Sequence, residues 1–61
     1  MATFRVQVSV ELRTGSESVM AYEIEAEKPG FATIEGRRRA KADAAVKRVT
    51  QVTWEILRNA A

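Results

Sequence analysis

The 61-residue sequence contains no cysteine and no histidine. Without cysteine no disulfide can form, and without either residue the usual structural zinc sites are excluded. The chain therefore has no cysteine nucleophile, and it has no histidine, the commonest general base of enzyme sites. The chain also lacks a glycine-rich phosphate loop and a carboxylate pair set apart from the surface pattern. We therefore predict a protein that is not an enzyme and that has no cofactor, no metal and no small-molecule substrate.

Long apolar runs are missing too. No stretch approaches the roughly 18 residues of a membrane span, and no charged-then-apolar leader opens the chain. We therefore expect a soluble, cytoplasmic protein that forms one domain over residues 1–61. A domain of this size buries only about 60% of its unfolded surface. Because neither a disulfide nor zinc can complete so small a core, we predict a homodimer.

Charge is divided unequally along the chain. Residues 1–35 carry −3 (three Arg or Lys against six Glu) and residues 36–61 carry +5 (seven against two), which gives the net +2 of the whole. Only the C-terminal half is therefore suited to a polyanionic partner.

Two segments alternate between apolar and polar residues, as half-buried strands do. The first runs from Thr3 to Arg13, and the second reaches Glu27 after the break at residues 14–16. We predict an antiparallel hairpin with Val10 opposite Met20, although a longer loop of the same parity would also keep the apolar faces together. In this register Arg5 lies opposite Glu25.

The rest of the chain predicts a helix. Residues 37–59 contain no Gly or Pro, and a single stripe at helical spacing is formed by Ala42, Ala45, Val49, Val52 and Ile56. Residues 31–35 form either a short third strand, which we favour, or an early start of this helix. The predicted fold class is α+β: an antiparallel hairpin, with the possible short third strand, packed against one long C-terminal helix.

Basic residues gather where this helix is predicted to begin. Arg37, Arg38 and Arg39 are followed by Lys41 one turn later. Cations are unfavourable at a helix N-terminus, where free amides and guanidinium groups together can hold a phosphate. The alternative is a solvated basic patch. We predict a nucleic-acid-binding protein that contacts phosphates through Arg37, Arg38, Arg39, Lys41, Lys47 and Arg48.

Residues 37–45 read Arg-Arg-Arg-Ala-Lys-Ala-Asp-Ala-Ala. This segment resembles the basic and alanine-rich motif that opens the last helix of double-stranded-RNA-binding domains. The resemblance implies that Arg37, Arg38 and Lys41 contact the phosphates of an A-form duplex. It also implies that Ala40, Ala44 and Ala45 serve packing. RNA and DNA both remain open as partners.

Trp54 is the second candidate. On a helix it lies off the core stripe, with Lys47 and Arg58 on its side, so it could stack on a base or pack against another subunit. We favour a homodimer interface formed by Trp54, Thr50, Leu57 and Arg58. The alternative function is therefore a small homo-oligomeric interaction or accessory module of phage type with no nucleic-acid role.

Glu23, Glu25 and Glu27 form an acidic ladder on the second strand. Such carboxylates could ligate a hard cation, mimic a phosphate track or contact the basic helix of a neighbouring molecule. We favour a solubilising surface that prevents aggregation.

Overall fold

The fold is a three-stranded antiparallel sheet with one helix on one face. A computed structural model describes residues 1–59 and has β1 at Ala2–Leu12, β2 at Glu17–Ala26, α1 at Pro29–Lys41 and β3 at Val46–Asn59. The strand order is β2-β1-β3, so both outer strands run antiparallel to the central β1. The chain passes from one edge of the sheet to the other through α1. We call the sheet face that carries α1 the inner face and the opposite one the outer face.

The predicted hairpin between the first two strands is present, with a different register. Val10 lies opposite Ser18 rather than Met20, and Arg5 lies opposite Glu23 rather than Glu25. The turn begins one residue earlier than expected because Gly15 adopts a positive φ of 92°, and its N–H donates to the Leu12 carbonyl at 2.9 Å. The register shift is an even number of residues, so the apolar faces still coincide.

The prediction of a long C-terminal helix is wrong, because residues 46–59 form β3. Bulges in β3 explain the error. The inner-face residues Val46, Val49 and Val52 are three apart, yet they lie opposite β1 residues that are two apart, Leu12, Val10 and Val8. Each bulge adds one residue to β3, so a bulged strand imitates helical spacing. Beyond Val52 the alternation typical of a strand resumes.

The prediction of a strand at residues 31–35 is also wrong, because this segment lies within α1. Pro29 occupies the start of the helix, where its fixed φ suits the first turn and its missing N–H is not needed. The helix ends at Lys41, and a turn follows in which Oδ1 of Asp43 accepts a hydrogen bond from the Ala45 N–H at 2.9 Å. β3 follows directly from this turn.

Small residues let α1 lie close to the sheet. Ala32, Gly36 and Ala40 are the buried residues of the helix and follow one another at intervals of four. A Cβ atom at Gly36 would lie only 2.6 Å from Cγ1 of Val6, a fully buried residue of β1. The core beneath the helix is formed by Ala2, Phe4, Val6, Val8, Val10, Ile24, Ala26 and Val46, together with Ala32 and Ala40.

Candidate interaction surfaces

The arginines expected at a helix N-terminus lie at the opposite end of α1. Arg38, Arg39 and Lys41 belong to its last turn, where the helix dipole favours positive charge. The electrostatic argument that selected them as a phosphate site therefore does not apply to this helix. The motif at residues 37–45 spans the end of α1 and the following turn, instead of opening a helix.

Half of the six predicted phosphate ligands contact carboxylates of the same chain. Arg38 donates to both carboxylate oxygens of Glu35 at 3.0 and 2.8 Å, and Arg39 donates to one of them at 2.9 Å. The hydrogen bonds from Arg38 and Arg39 lower the pKa of Glu35, and the Glu35 carboxylate raises the pKa of Arg38. Nε of Arg48 lies 2.6 Å from Oε1 of Glu11, an ion pair whose N–H is poorly aligned for a hydrogen bond.

The other three predicted ligands form no ion pair with residues 1–59. Arg37 and Lys41 are exposed one turn apart near the end of α1, and Lys47 is exposed at the start of β3. Arg13 of the hairpin loop reaches the turn between these elements, where its Nε donates to the Ala44 carbonyl at 2.8 Å. We call this group of four residues (Arg13, Arg37, Lys41 and Lys47) the basic end.

The predicted interface residues do not share one surface. Trp54 lies opposite Val6 on the inner face, whereas Arg58 lies opposite Thr3 on the outer face. Thr50 is at a bulge, where its hydroxyl donates to the Ser9 carbonyl at 3.1 Å, and Leu57 is at another bulge. A helix would have grouped these four side chains, but a strand separates them.

Trp54 lies at the margin of the core. Its ring packs edge-on against the buried Phe4, with ring centres 5.6 Å apart and an interplanar angle of 82°. Even so, Trp54 remains 49% exposed, and the adjacent inner-face residue Ile56 is 51% exposed. We call these two residues the β3 apolar pair. Sequence reasoning placed Ile56 in the core stripe of a helix, although the alternation of Val52, Trp54 and Ile56 indicates a strand face.

A second exposed apolar group lies on α1. Phe31 and Ile34 are exposed, and with Pro29 they form an apolar surface near the start of the helix. It is separate from the β3 apolar pair, because Phe31 faces the β2 side of the helix together with Glu35 and Arg39.

Both edges of the sheet are unpaired within residues 1–59, and their charges differ. The β2 edge strand carries Glu17, Glu23 and Glu25 and no cation. The β3 edge strand carries Lys47, Arg48 and Arg58 against a single carboxylate, Glu55. Two residues of the predicted acidic ladder, Glu23 and Glu25, thus belong to an exposed sheet edge, and Glu27 lies just beyond it.

Comparison with known protein families, with curated proteins and with solved structures found no match. Over residues 1–59, no helix is long and apolar enough to cross a membrane. The same part of the chain has no cluster of three or more acidic, cysteine or histidine side chains arranged to hold a metal ion.

Proposed function

We propose that the protein is a non-enzymatic interaction module that associates with further copies of itself through β3. The observation that carries this proposal is the β3 apolar pair, which lies half-exposed on an unpaired edge strand. Apolar side chains beside free backbone N–H and C=O groups are the usual features of a strand that accepts another strand.

Energetic considerations support association. Full burial of a large apolar side chain contributes about 1.5–3 kcal/mol, and about half of that contribution is still available at Trp54 and Ile56. A pairing strand would also satisfy the backbone groups along the β3 edge. A second copy is the partner we propose, because the chain itself provides a free edge of opposite charge in β2.

Ile56→Ser tests the proposal, with Ile34→Ser as the matched control. Both positions hold an exposed isoleucine, but Ile34 belongs to α1 and not to an edge strand. Light scattering over a concentration series should show association of the wild type and of Ile34→Ser, and a lower mass for Ile56→Ser. A wild type that stays monomeric at every concentration, or equal effects of the two substitutions, would contradict the proposal.

A second candidate function is nucleic-acid binding, favoured by the basic end. Arg37, Lys41 and Lys47 have no carboxylate within ion-pair distance in the described chain, so their charges are available to phosphates. Arg38, Arg39 and Arg48 would first have to leave Glu35 and Glu11. Arg37, Lys41 and Lys47 are therefore the predicted contacts that can bind phosphate without breaking an ion pair of the described chain.

A gel-shift titration with duplex RNA, duplex DNA and single strands tests this second function. Lys41→Gln and Lys47→Gln should each reduce the salt dependence of binding by about one released counterion. Lys28→Gln removes the same charge just before the start of α1 and should have a smaller effect. Absence of a shift at low salt, or an equal effect of Lys28→Gln, would eliminate the basic end as the binding surface.

A further inference from the structure

We propose that copies of the protein join head to tail, with β3 of one copy pairing in parallel with β2 of the next, so that one sheet continues through the assembly. This inference rests on the proposed self-association and specifies its geometry. β2 and β3 are both antiparallel to β1, so copies that repeat in the same orientation bring these two edges together as parallel strands.

Pairing of identical edges is opposed by charge in the registers centred on Thr53 of β3 and on Ala21 of β2. Two β3 strands paired antiparallel about Thr53 would place Arg48 opposite Arg58 twice, because both residues lie on the outer face. Two β2 strands paired about Ala21 would place Glu17 opposite Glu25 twice. Like charges directly opposite each other destabilise a strand pair.

Pairing of β3 with β2 is instead favoured by charge. Residues of the two outer strands that lie opposite the same β1 residue become neighbours when copies repeat in register. Glu25 and Arg58 both lie opposite Thr3 and therefore become neighbours. Glu17 and Arg48 become neighbours in the same way, because both lie opposite Glu11. Each of these outer-face contacts joins a carboxylate of one copy to a guanidinium group of the next, and Arg48 would contact Glu17 of the next copy while keeping its ion pair with Glu11 of its own copy.

The inner face matches in the same register. Tyr22 and Trp54 both lie opposite Val6, and Ile24 and Ile56 both lie opposite Phe4, so each pair becomes neighbours between copies. The β3 apolar pair would therefore meet an aromatic and an aliphatic side chain of the next copy, contacts of the type that stabilise neighbouring strands.

One row of the outer face is unfavourable. Glu23 and Glu55 both lie opposite Arg5, so these two carboxylates of different copies become neighbours. Arg5 lies beside both positions, and its Nη1 donates to Glu55 at 3.0 Å. This guanidinium group reduces the repulsion, and the two favourable charge rows outnumber the one unfavourable row.

A head-to-tail contact uses two different surfaces of each copy. Such contacts close into rings or continue as filaments, whereas pairing of identical edges stops at a dimer. Residues 51–56 of β3 and all of β2 are free of bulges in their pairing with β1, and neither stretch contains proline, so both can pair along their length.

Charge exchange tests this geometry. Glu25→Arg and Arg58→Glu should each weaken association about fivefold to tenfold, since each replaces a favourable pair by like charges. An equimolar mixture of the two variants should restore association, because the arginine introduced in one variant then meets the glutamate introduced in the other. The double variant should also associate. Glu27→Arg is the control. It changes the net charge by the same amount as Glu25→Arg, but Glu27 lies outside β2, so this variant should have little effect on association.

The measurement is sedimentation of each variant over a concentration series, with thermal unfolding showing that each remains folded. Restored mass in both the mixture and the double variant supports head-to-tail pairing. A wild type that remains monomeric overturns this inference and the proposed function together. Association that is lost in Ile56→Ser but unchanged by the single charge reversals, or not restored by the mixture, overturns the head-to-tail geometry alone.

Discussion

Gly36→Ala directly probes the packing of α1 on the sheet. The added methyl group would lie 2.6 Å from Cγ1 and 3.2 Å from Cβ of Val6, and 3.5 Å from Cδ1 of Ile24. Favourable carbon contacts lie at about 3.5–4.0 Å, so the helix must move away from β1 by roughly 1 Å or Val6 must change rotamer. Val6 is fully buried on the central strand, which leaves it little room to move.

Two opposing effects determine the size of the change. Overpacking of this kind costs about 1–3 kcal/mol, whereas replacing a helical glycine by alanine gains about 1 kcal/mol in helix propensity. We therefore expect Gly36→Ala to lower the free energy of unfolding by about 1 kcal/mol, which corresponds to a fall in Tm of about 4–8 °C for so small a domain.

Gly30→Ala is the matched control, because a methyl group there meets nothing within 4 Å. Chemical unfolding is measured for Gly30→Ala and for the wild type, Gly36→Ala, Val6→Ala and the combined variant, of which the last four form a double-mutant cycle. Val6→Ala removes the methyl groups that clash, so Val6→Ala should cost less stability in the Gly36→Ala background than in the wild type. If Gly36→Ala stabilised the protein as much as Gly30→Ala does, α1 would not pack against β1 as described.

Two further predictions concern Glu35 and Trp54. The pKa of Glu35 is lowered in the folded protein, so the stability from its ion pairs is present above its unfolded pKa and is lost as pH falls through the folded value. Urea unfolding of Glu35→Gln should therefore show lower stability than the wild type at neutral pH and a smaller loss in acid; equal acid sensitivity would contradict this. The fluorescence of Trp54 should shift to shorter wavelength as the protein associates, because half of the side chain is exposed in a single copy. An unchanged spectrum over a range where the mass rises would exclude Trp54 from the interface.

The strand pattern of the first half could be predicted because its two strands alternate without a bulge. Side-chain parity assigned every face of the hairpin correctly, but parity cannot distinguish registers that differ by two residues. That choice depends on the turn, where Gly15 at positive φ permits the chain to reverse one residue earlier.

The second half was predicted incorrectly because two local signals resemble each other. Bulges place Val46, Val49 and Val52 at helical spacing, and pairing with β1, which no local pattern reveals, decides in favour of the strand. Two features of the sequence indicate α1. Pro29 is favourable at the first helical position, and the small residues Ala32, Gly36 and Ala40 follow one another at intervals of four.

The error in the fold also changed the candidate sites. Once residues 29–41 form the helix, the arginines lie at its favourable end, and their selection as an anion site loses its electrostatic basis. The edge strands and the β3 apolar pair could not be predicted, because an edge is defined only by the order of strands in the sheet.

Amide hydrogen exchange of the edge strands, measured by NMR at increasing protein concentration, tests whether copies pair through β3 and β2. Outward-pointing amides of β3 should exchange rapidly in dilute protein and become protected as copies associate. Amides on the free edge of β2 should become protected over the same concentration range, because head-to-tail pairing uses both edges. Uniform helical protection over residues 46–59 would contradict the assignment of β3, and exchange at both edges that does not depend on concentration would contradict head-to-tail pairing.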